Sequence, residues 1–461
     1  VKVILVGLGA ALAAGCAAGP AYRTPATAEV EFRNAERAGA AQQTLQAEWW
    51  EQFGDPVLSE LVDRALANDL DLEIAATRVT EARAVAATQR RARWPGASVE
   101  LVRDERHAQQ PGFTAQRVET ESYQAGVATF WELDLFGRVR RGLEAATADA
   151  DAAEADLRDA QVLVAAEVAT TYLELRRAQK RRRVAHAHLD NQRQTVELTR
   201  VRRDLGRGGE LDVASAEARL ATIEASIPPL AADEAVAMHG LAVLVGERAG
   251  TLDAQLAPRD LPPHLTTLAV GSPDELLRRR PDIRAAERSL AAATARVGLA
   301  RAELFPRLSL SGFIGFLAGD AAELGESASR ASILTPVLSW AGFDVGVRAR
   351  IVAAEARSEG ALAAYELAVL RAIEETENAF VNYAEQRRRL TAVVEQAAAS
   401  RRAANLARIQ YREGALDFLR LLDAERTVLE AEDAVAMAET DFNGSVVAIY
   451  RALGGGWEAA I

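Results

Sequence analysis

Apolar positions along the chain change their period in a fixed order, and the same order then comes round a second time. From about Pro56 to Arg93, and again from about Pro273 to Leu304, the pattern predicts helix. Each of these helices is predicted to stop at an aromatic–proline pair, Trp94-Pro95 or Phe305-Pro306. Proline lacks the N–H that a helix interior needs and biases its predecessor towards extended geometry. Two strand candidates follow in each copy: Val99–Val102 with Tyr123–Leu133, and Leu308–Phe313 with Ile333–Trp340. Leu308 and Leu310 alternate with serines, the period-two signature of one apolar and one wet face. The segments between, His107–Glu119 and Ala318–Ser329, carry Gly, Pro, Ser and charges and are predicted as loops. Strands of about ten residues suit a tilted transmembrane β-strand, although a hairpin in a soluble α+β domain has the same pattern.

Very long helical tracts come next. Gly137–Leu205 and Gly346–Glu413 contain no proline and are interrupted only by Gly142 and Gly360; each would extend roughly 100 Å at 1.5 Å per residue. Val168, Leu175, Leu189 and Val196 fall on a seven-residue grid broken by Arg182, and Ile373, Phe380 and Val394 fall on one broken by Arg387. That repeat predicts left-handed supercoiling against neighbouring helices. Both tracts end at glycines, Gly206-Arg207-Gly208-Gly209 and Gly414, the residue type that caps helices in the left-handed conformation. Helical pattern resumes from Leu211 to about Gly246 and from Leu416 to about Leu453, so two helical hairpins with exposed tips are predicted.

The recurrence is specific in spacing. Asp71-Leu72, Ala75, Arg90 and Trp94-Pro95 return as Asp282-Ile283, Ala286, Arg301 and Phe305-Pro306, and Leu198, Gly206, Leu211 and Ala216-Glu217 return as Leu406, Gly414, Leu419 and Ala424-Glu425. An internal duplication is expected, with copies at 56–265 and 266–461 and strands within 97–133 and 307–340. Four strands cannot close an outer-membrane barrel, which needs about eight or more, and open edges in lipid leave backbone groups unpaired. If the strands enter a membrane, copies must associate.

Composition narrows the class. The 461 residues carry a net charge of −12, which argues against nucleic acid as a partner. Beyond the first residues no apolar run is long enough for a membrane-spanning helix, so a polytopic pump is excluded. The start, Val1 to Cys16, has one lysine, an apolar stretch and the ending Ala13-Ala14-Gly15-Cys16. This layout predicts a secretory signal over 1–15 with a lipobox-like cut, lipidation of Cys16 and a lipid-anchored segment 16–55. Acyl chains contribute about 0.8 kcal/mol per buried methylene, so several on one residue anchor firmly. Ala17, where aspartate would favour the inner membrane, points to the outer one.

No catalytic set emerges. His186 and His188 are predicted surface residues, and His107, His239 and His264 are scattered without a spaced partner for a metal. The glycine-rich Gly206–Gly209 turn lacks the lysine and Ser/Thr of a phosphate loop. The acidic residues of Asp149–Asp159 are predicted as a solvated helix face, and Arg181–Arg183 and Arg387–Arg389 as solvated runs or interhelical ion pairs. No enzyme activity, cofactor or metal is expected.

With these residues in view, the chain resembles the TolC superfamily of outer-membrane channels, in particular the OprM-like lipoproteins of resistance-nodulation-division efflux systems. The resemblance is carried by Cys16…Gly19-Pro20-Ala21-Tyr22, Trp49-Trp50…Phe53…Asp55-Pro56, Trp131-Glu132-Leu133-Asp134-Leu135-Phe136-Gly137-Arg138, Arg279-Arg280-Pro281-Asp282-Ile283, Tyr411-Arg412-Glu413-Gly414…Leu421-Leu422-Asp423-Ala424 and Gly454-Gly455-Gly456-Trp457. It implies a mainly α chain with a membrane β-barrel: a homotrimer with twelve strands, four per subunit, and an α-helical periplasmic tunnel. It also implies a passive duct joined to a periplasmic adaptor and an inner-membrane transporter, lying in the outer membrane. By position, adaptor-docking tips fall at Gly206, Arg207, Gly208, Gly209, Arg412 and Gly414. A periplasmic gate falls at Leu419 and Asp423, four apart and hence on one helical face. Ser215 stands where the second copy has Asp423, so an acidic ring would come from one hairpin only. A protein-secretion duct shares this architecture, and a lipid-anchored coiled-coil adaptor is the reading from another class.

Overall fold

The protein is described here from a computed structural model that covers residues 17–25, 32–42, 47–110, 114–262, 268–270, 279–341, 344–455 and 457. The predicted signal, Cys16 and the helix start at Pro273 lie outside the described residues. The main elements are α1 (Pro56–Asn68), α2 (Leu70–Arg91), β1 (Gly96–Gln110), β2 (Thr114–Leu133), α3 (Arg138–Asp204), α4 (Glu210–Leu244), α5 (Pro281–Ala302), β3 (Arg307–Ala318), β4 (Arg330–Ser339), α6 (Val345–Arg412) and α7 (Phe418–Ala452). Two compact units divide them. One comprises 1–26, 77–154 and 285–367, and the other 27–76, 155–284 and 368–461.

The first unit holds a four-stranded antiparallel sheet in the order β1-β2-β3-β4. Its first hairpin is longer than the sequence pattern indicates. The ladder continues from Arg103↔Tyr123 through Glu105↔Glu121 and His107↔Glu119, so most of the predicted 107–119 loop is strand. Cross-strand ion pairs explain this: Arg103 binds Glu121 at 3.0 Å and His107 binds Glu119 at 3.0 Å, and Arg103 also reaches Glu105 on its own strand at 3.2 Å. Opposite charges facing across a ladder stabilise strand residues that read as loop by composition.

Two hydrogen bonds repeat at corresponding points of the chain. The Trp131 indole donates to the Arg93 carbonyl at 3.1 Å, and the Trp340 indole donates to the Leu304 carbonyl at 3.0 Å. In each case the acceptor precedes the aromatic–proline pair that ends a helix. The acidic stretch Asp149–Asp159 is not a simple wet face: Ala148, Ala150, Ala152 and Ala155 are buried, and Asp149 pairs with Arg296.

The second unit is helical around a core built by Trp49, Trp50, Phe53, Tyr172, Leu173, Phe380, Tyr383 and Tyr450; Trp49 stacks on Tyr450 at 5.4 Å. The single helix expected over 56–93 is broken at Asp69, whose backbone is extended and whose carboxylate accepts from the N–H groups of Asp71 and Leu72. A short polar side chain that satisfies a new helix start is a better N-cap than a helix interior residue. Val168, Leu175, Leu189 and Val196 are all buried, as the seven-residue grid requires. In α6 the register differs. Tyr365, Ala372 and Ala379 lie seven apart, then Tyr383, Leu390, Ala397, Ala404 and Tyr411 continue seven apart after a four-residue step. Val394 is therefore 47% exposed instead of buried. A four-residue insertion into a heptad pattern locally unwinds a supercoil, and small alanines at the seam hid the true register.

Four glycines close the hairpins and helix ends. Gly206 and Gly414 have φ of 68° and 76°, and Gly246 and Gly454 have 75° and 67°. At the tips the Arg207 N–H reaches the Arg202 carbonyl and the Ala415 N–H reaches the Gln410 carbonyl, both at 2.8 Å. These are matching left-handed caps in which glycine avoids the Cβ penalty.

Candidate functional site

Register and exposure sort the sheet into two faces. On one, Val99 opposes Val127, Val127 opposes Ile314, Gly312 opposes Leu334, and Leu308 opposes Leu338. Val99, Val127, Ile314, Leu334 and Leu338 are exposed, with Leu101 on the same face reaching 80%, and Leu308 is half-buried. Trp131 and Trp340 stand at one end of this band, and Tyr123, with Arg103 5.9 Å from its ring centroid, stands at the other. Eight residues separate Trp131 from Tyr123, or about 27 Å at strand rise. An apolar belt about 25 Å tall between aromatic girdles is how a barrel wall meets lipid. The other face carries Ser98, Glu100, Ala128, Phe130, Ser311, Phe313 and Thr335 around a groove of about 530 Å³.

The sheet is not complete in one chain. Among the described residues β1 and β4 each have one neighbour, so both outer edges present unpaired backbone groups. In lipid each unpaired group costs several kcal/mol, and pairing β1 of one copy with β4 of the next removes both edges at once.

The helical hairpins meet along a polar seam. Arg181, His188, Thr195 and Arg202 lie seven residues apart on α3, and each reaches the second hairpin. Arg181 grips Asp433 at 2.6 and 3.1 Å, the His188 ring nitrogen Nε2 lies 2.6 Å from Glu432, Thr195 contacts Glu425 at 3.4 Å, and Arg202 donates to the Tyr411 carbonyl at 2.5 Å. The bond from His188, helped by Arg401, holds the Glu432 carboxyl down at about 2. Burial pushes Glu425 up, with Arg408 working against the shift. His188 is thus an interhelical partner, contrary to the surface role read from sequence: its side chain is only 11% exposed. The arginine runs are ion-paired, Arg182 to Glu234, Arg183 to Asp260 and Arg389 to Asp441.

At the tips, Gly206, Arg207, Gly209, Arg412 and Gly414 are exposed, and Gly208 is half-buried. Leu419 is 59% exposed, and Asp423 one turn later pairs with Arg426 at 2.7 Å on the same helix. Both project from the first turns of α7, whose N-cap, Asp417, accepts from the Arg420 N–H at 3.0 Å. Ser215, on α4, is half-buried.

One cluster escaped the sequence reading. Ligand atoms of Glu105, His107 and Glu119 lie within 4.8 Å of one another on the exposed end of the first hairpin. Glu105 lies two residues away on the same strand as His107, and strand pairing adds Glu119 from the opposite one. The three are exposed and already engaged in ion pairs.

A sheet with a lipid-facing belt, two open edges and attached long helical hairpins defines a membrane channel subunit that closes only with copies of itself. The chain belongs to the outer membrane efflux protein family, whose sequence model matches residues 61–247 and 272–455. It is 33% identical to the outer membrane protein OprJ of Pseudomonas aeruginosa, over 96% of this chain and 93% of that protein. It is 32% identical to the pyoverdine export outer membrane protein OpmQ of the same organism, over 89% and 88%. Among solved structures, the outer-membrane channel OprN superposes with a TM-score of 0.92 at 49% identity, covering 96% of this chain and all of that one. The protein is therefore an outer-membrane efflux channel and not an enzyme, with the fold of trimeric channels that combine a helical tunnel with a β-barrel.

Proposed function

We propose that the chain is the exit duct of a tripartite pump, passing small molecules from the periplasm across the outer membrane without an energy source of its own. An inner-membrane resistance-nodulation-division transporter supplies the energy. A periplasmic adaptor docks at Gly206, Arg207, Gly208, Gly209, Arg412 and Gly414. The duplicated copies at 56–265 and 266–461 supply two strands and one hairpin each, and the two separate stretches matched by one family model support this division. Cys16 carries the lipid anchor. Ala17 supports this reading, because it lies against Gly137 between β2 and α3, where an added Cβ would meet the Ala17 Cβ at 2.8 Å.

The observation that carries the proposal is the sheet with an apolar outer face and two unpaired edges. Leu419 and Asp423 form the periplasmic constriction. Three copies of Asp423 around an axis repel one another and attract cations, the behaviour of an acidic ring. Planar-bilayer recording tests this. Asp423→Ala should raise conductance or lower cation preference, and unchanged values of both remove Asp423 from the constriction.

A further inference from the structure

A groove of about 610 Å³ lies beside the start of α3, within the unit that carries the sheet. Its lining shares no residue with the tips or the seam described above. Its cations are Arg93, Arg140, Arg141 and Arg288. Its upper end sits at the membrane boundary, because the Arg93 carbonyl holds the indole of Trp131, which ends the lipid-facing belt. The amino-terminal segment crosses the same end. Ala18 donates to the Phe136 carbonyl at 3.0 Å, and Arg141 donates to the carbonyls of Ala18 and Gly19 at 3.2 and 3.3 Å.

Three of the four cations are fixed in place by carboxylates: Arg140 by Asp134 at 3.1 Å, Arg141 by Glu144 at 2.7 Å, and Arg288 by Glu287, with Asp151 at 4.0 Å. Arg93 has no carboxylate partner among the described residues. Neither have Arg90 and Arg91, in the last turn of α2. Arg93 therefore brings unneutralised positive charge to the membrane-facing end of the groove, with Arg90 and Arg91 close to it in sequence but outside the lining, in a chain of net charge −12. Lower down, Glu144, Thr147 and Asp151 offer hydrogen-bond acceptors. The corresponding helix end of the second copy differs, since Arg301 pairs there with Glu355.

We propose that this groove binds the headgroup of an anionic phospholipid of the phosphatidylglycerol type. The phosphate lies against Arg93 at the upper end, and the hydroxylated headgroup points down towards Glu144, Thr147 and Asp151. The planar guanidinium fork matches phosphate oxygens, and a basic pocket at the polar boundary of a bilayer is a headgroup site.

The test uses the full chain in detergent, exchanged into defined lipid and weighed by native mass spectrometry. Phosphatidylglycerol is expected to be retained about fivefold more than phosphatidylethanolamine, and Arg93→Gln should lose about that factor, the worth of one cation near a membrane surface. Arg93→Lys should restore part of it, and Arg301→Gln should change nothing. If Arg93→Gln fails to assemble, the double variant Arg90→Gln, Arg91→Gln, whose cations lie outside the groove lining and act on the phosphate only through screened distance, is expected to lose about twofold. Equal retention of the two lipids, or full retention of phosphatidylglycerol by an assembled Arg93→Gln protein, overturns the site. Thermal stabilisation by inorganic phosphate equal to that by the lipid overturns the lipid assignment.

Discussion

Asp159 gives the sharpest quantitative prediction. It lies on α3 beside a cavity of about 300 Å³ shared with Asp282, at the start of α5, and Glu375, on α6. Arg280 serves the other two carboxylates, donating to Asp282 at 2.9 and 2.7 Å and to Glu375 at 2.9 Å, and spends its remaining nitrogen on the Ala452 carbonyl at 2.9 Å. Asp159 receives no hydrogen bond among the described residues. Burial, with the charge of Asp282 behind it, pushes its carboxyl from 3.8 up to about 6. Below about pH 4 the group is protonated in both the folded and unfolded chain and contributes nothing. Between about pH 4 and 6 the folded chain keeps a proton that the unfolded chain has lost, so stability falls as pH rises, and above that window the loss is constant. A shift of about 2 units corresponds to a ceiling of about 3 kcal/mol, which screening in a partly open cavity reduces to about 1–2. Asp159→Asn should therefore unfold later than wild type at pH 7.5, with the advantage gone at pH 4. Midpoints in one detergent at one heating rate measure this. A variant no more stable at pH 7.5, or one with the same advantage at both pH values, refutes the reasoning.

Other substitutions probe the seam and the girdle. Arg202→Ala removes the bond to the Tyr411 carbonyl and the guanidinium 4.5 Å from that ring; single-channel recordings should show larger or more frequent openings, while the sheet is unaffected. Glu432→Gln loses an anion whose folded-state carboxyl lies at about 2, below its unfolded value of 4.5. Its contribution is present above about pH 4.5 and fades as pH falls towards 2, so the variant should be weaker by about 1–3 kcal/mol near neutrality and match wild type in strong acid, read from unfolding midpoints. Trp131→Phe deletes the indole bond to Arg93 while keeping the ring, and should cost about 1 kcal/mol in thermal stability of the assembled protein.

How much of this was readable beforehand depends on what kind of signal each feature leaves. Helix ends marked by glycine or aromatic–proline pairs were legible because a single residue dictates the backbone there: Gly206 and Gly414 take the left-handed cap that their sequence position implies. The extent of the first hairpin was not legible, since the polar stretch around His107 and Glu119 reads as a loop until cross-strand pairing joins His107 to Glu119 and Arg103 to Glu121. The seam of α6 was misplaced for a related reason: Ala397 and Ala404 are too common in this chain to reveal a register, and the four-residue step after Ala379 shifts it. His188 was misjudged because its partner Glu432 is 244 residues away. Of the candidate site, the glycine turns at the hairpin tips follow from local spacing, whereas Leu419 and Asp423 were singled out by the family resemblance, spacing adding only that they share a helical face. The lipid-facing belt needed the strand register, and the groove at Arg93 needed four chain segments placed together.

The central claim is that the sheet of one chain is complete only when identical copies close it. Native mass determination of the detergent-solubilised full-length protein, followed by reconstitution of the same preparation into a planar bilayer, tests this most directly. Three chains per particle and discrete ion conductance are the predicted result. A monodisperse single-chain particle that stays folded in detergent-free buffer and conducts nothing would contradict it.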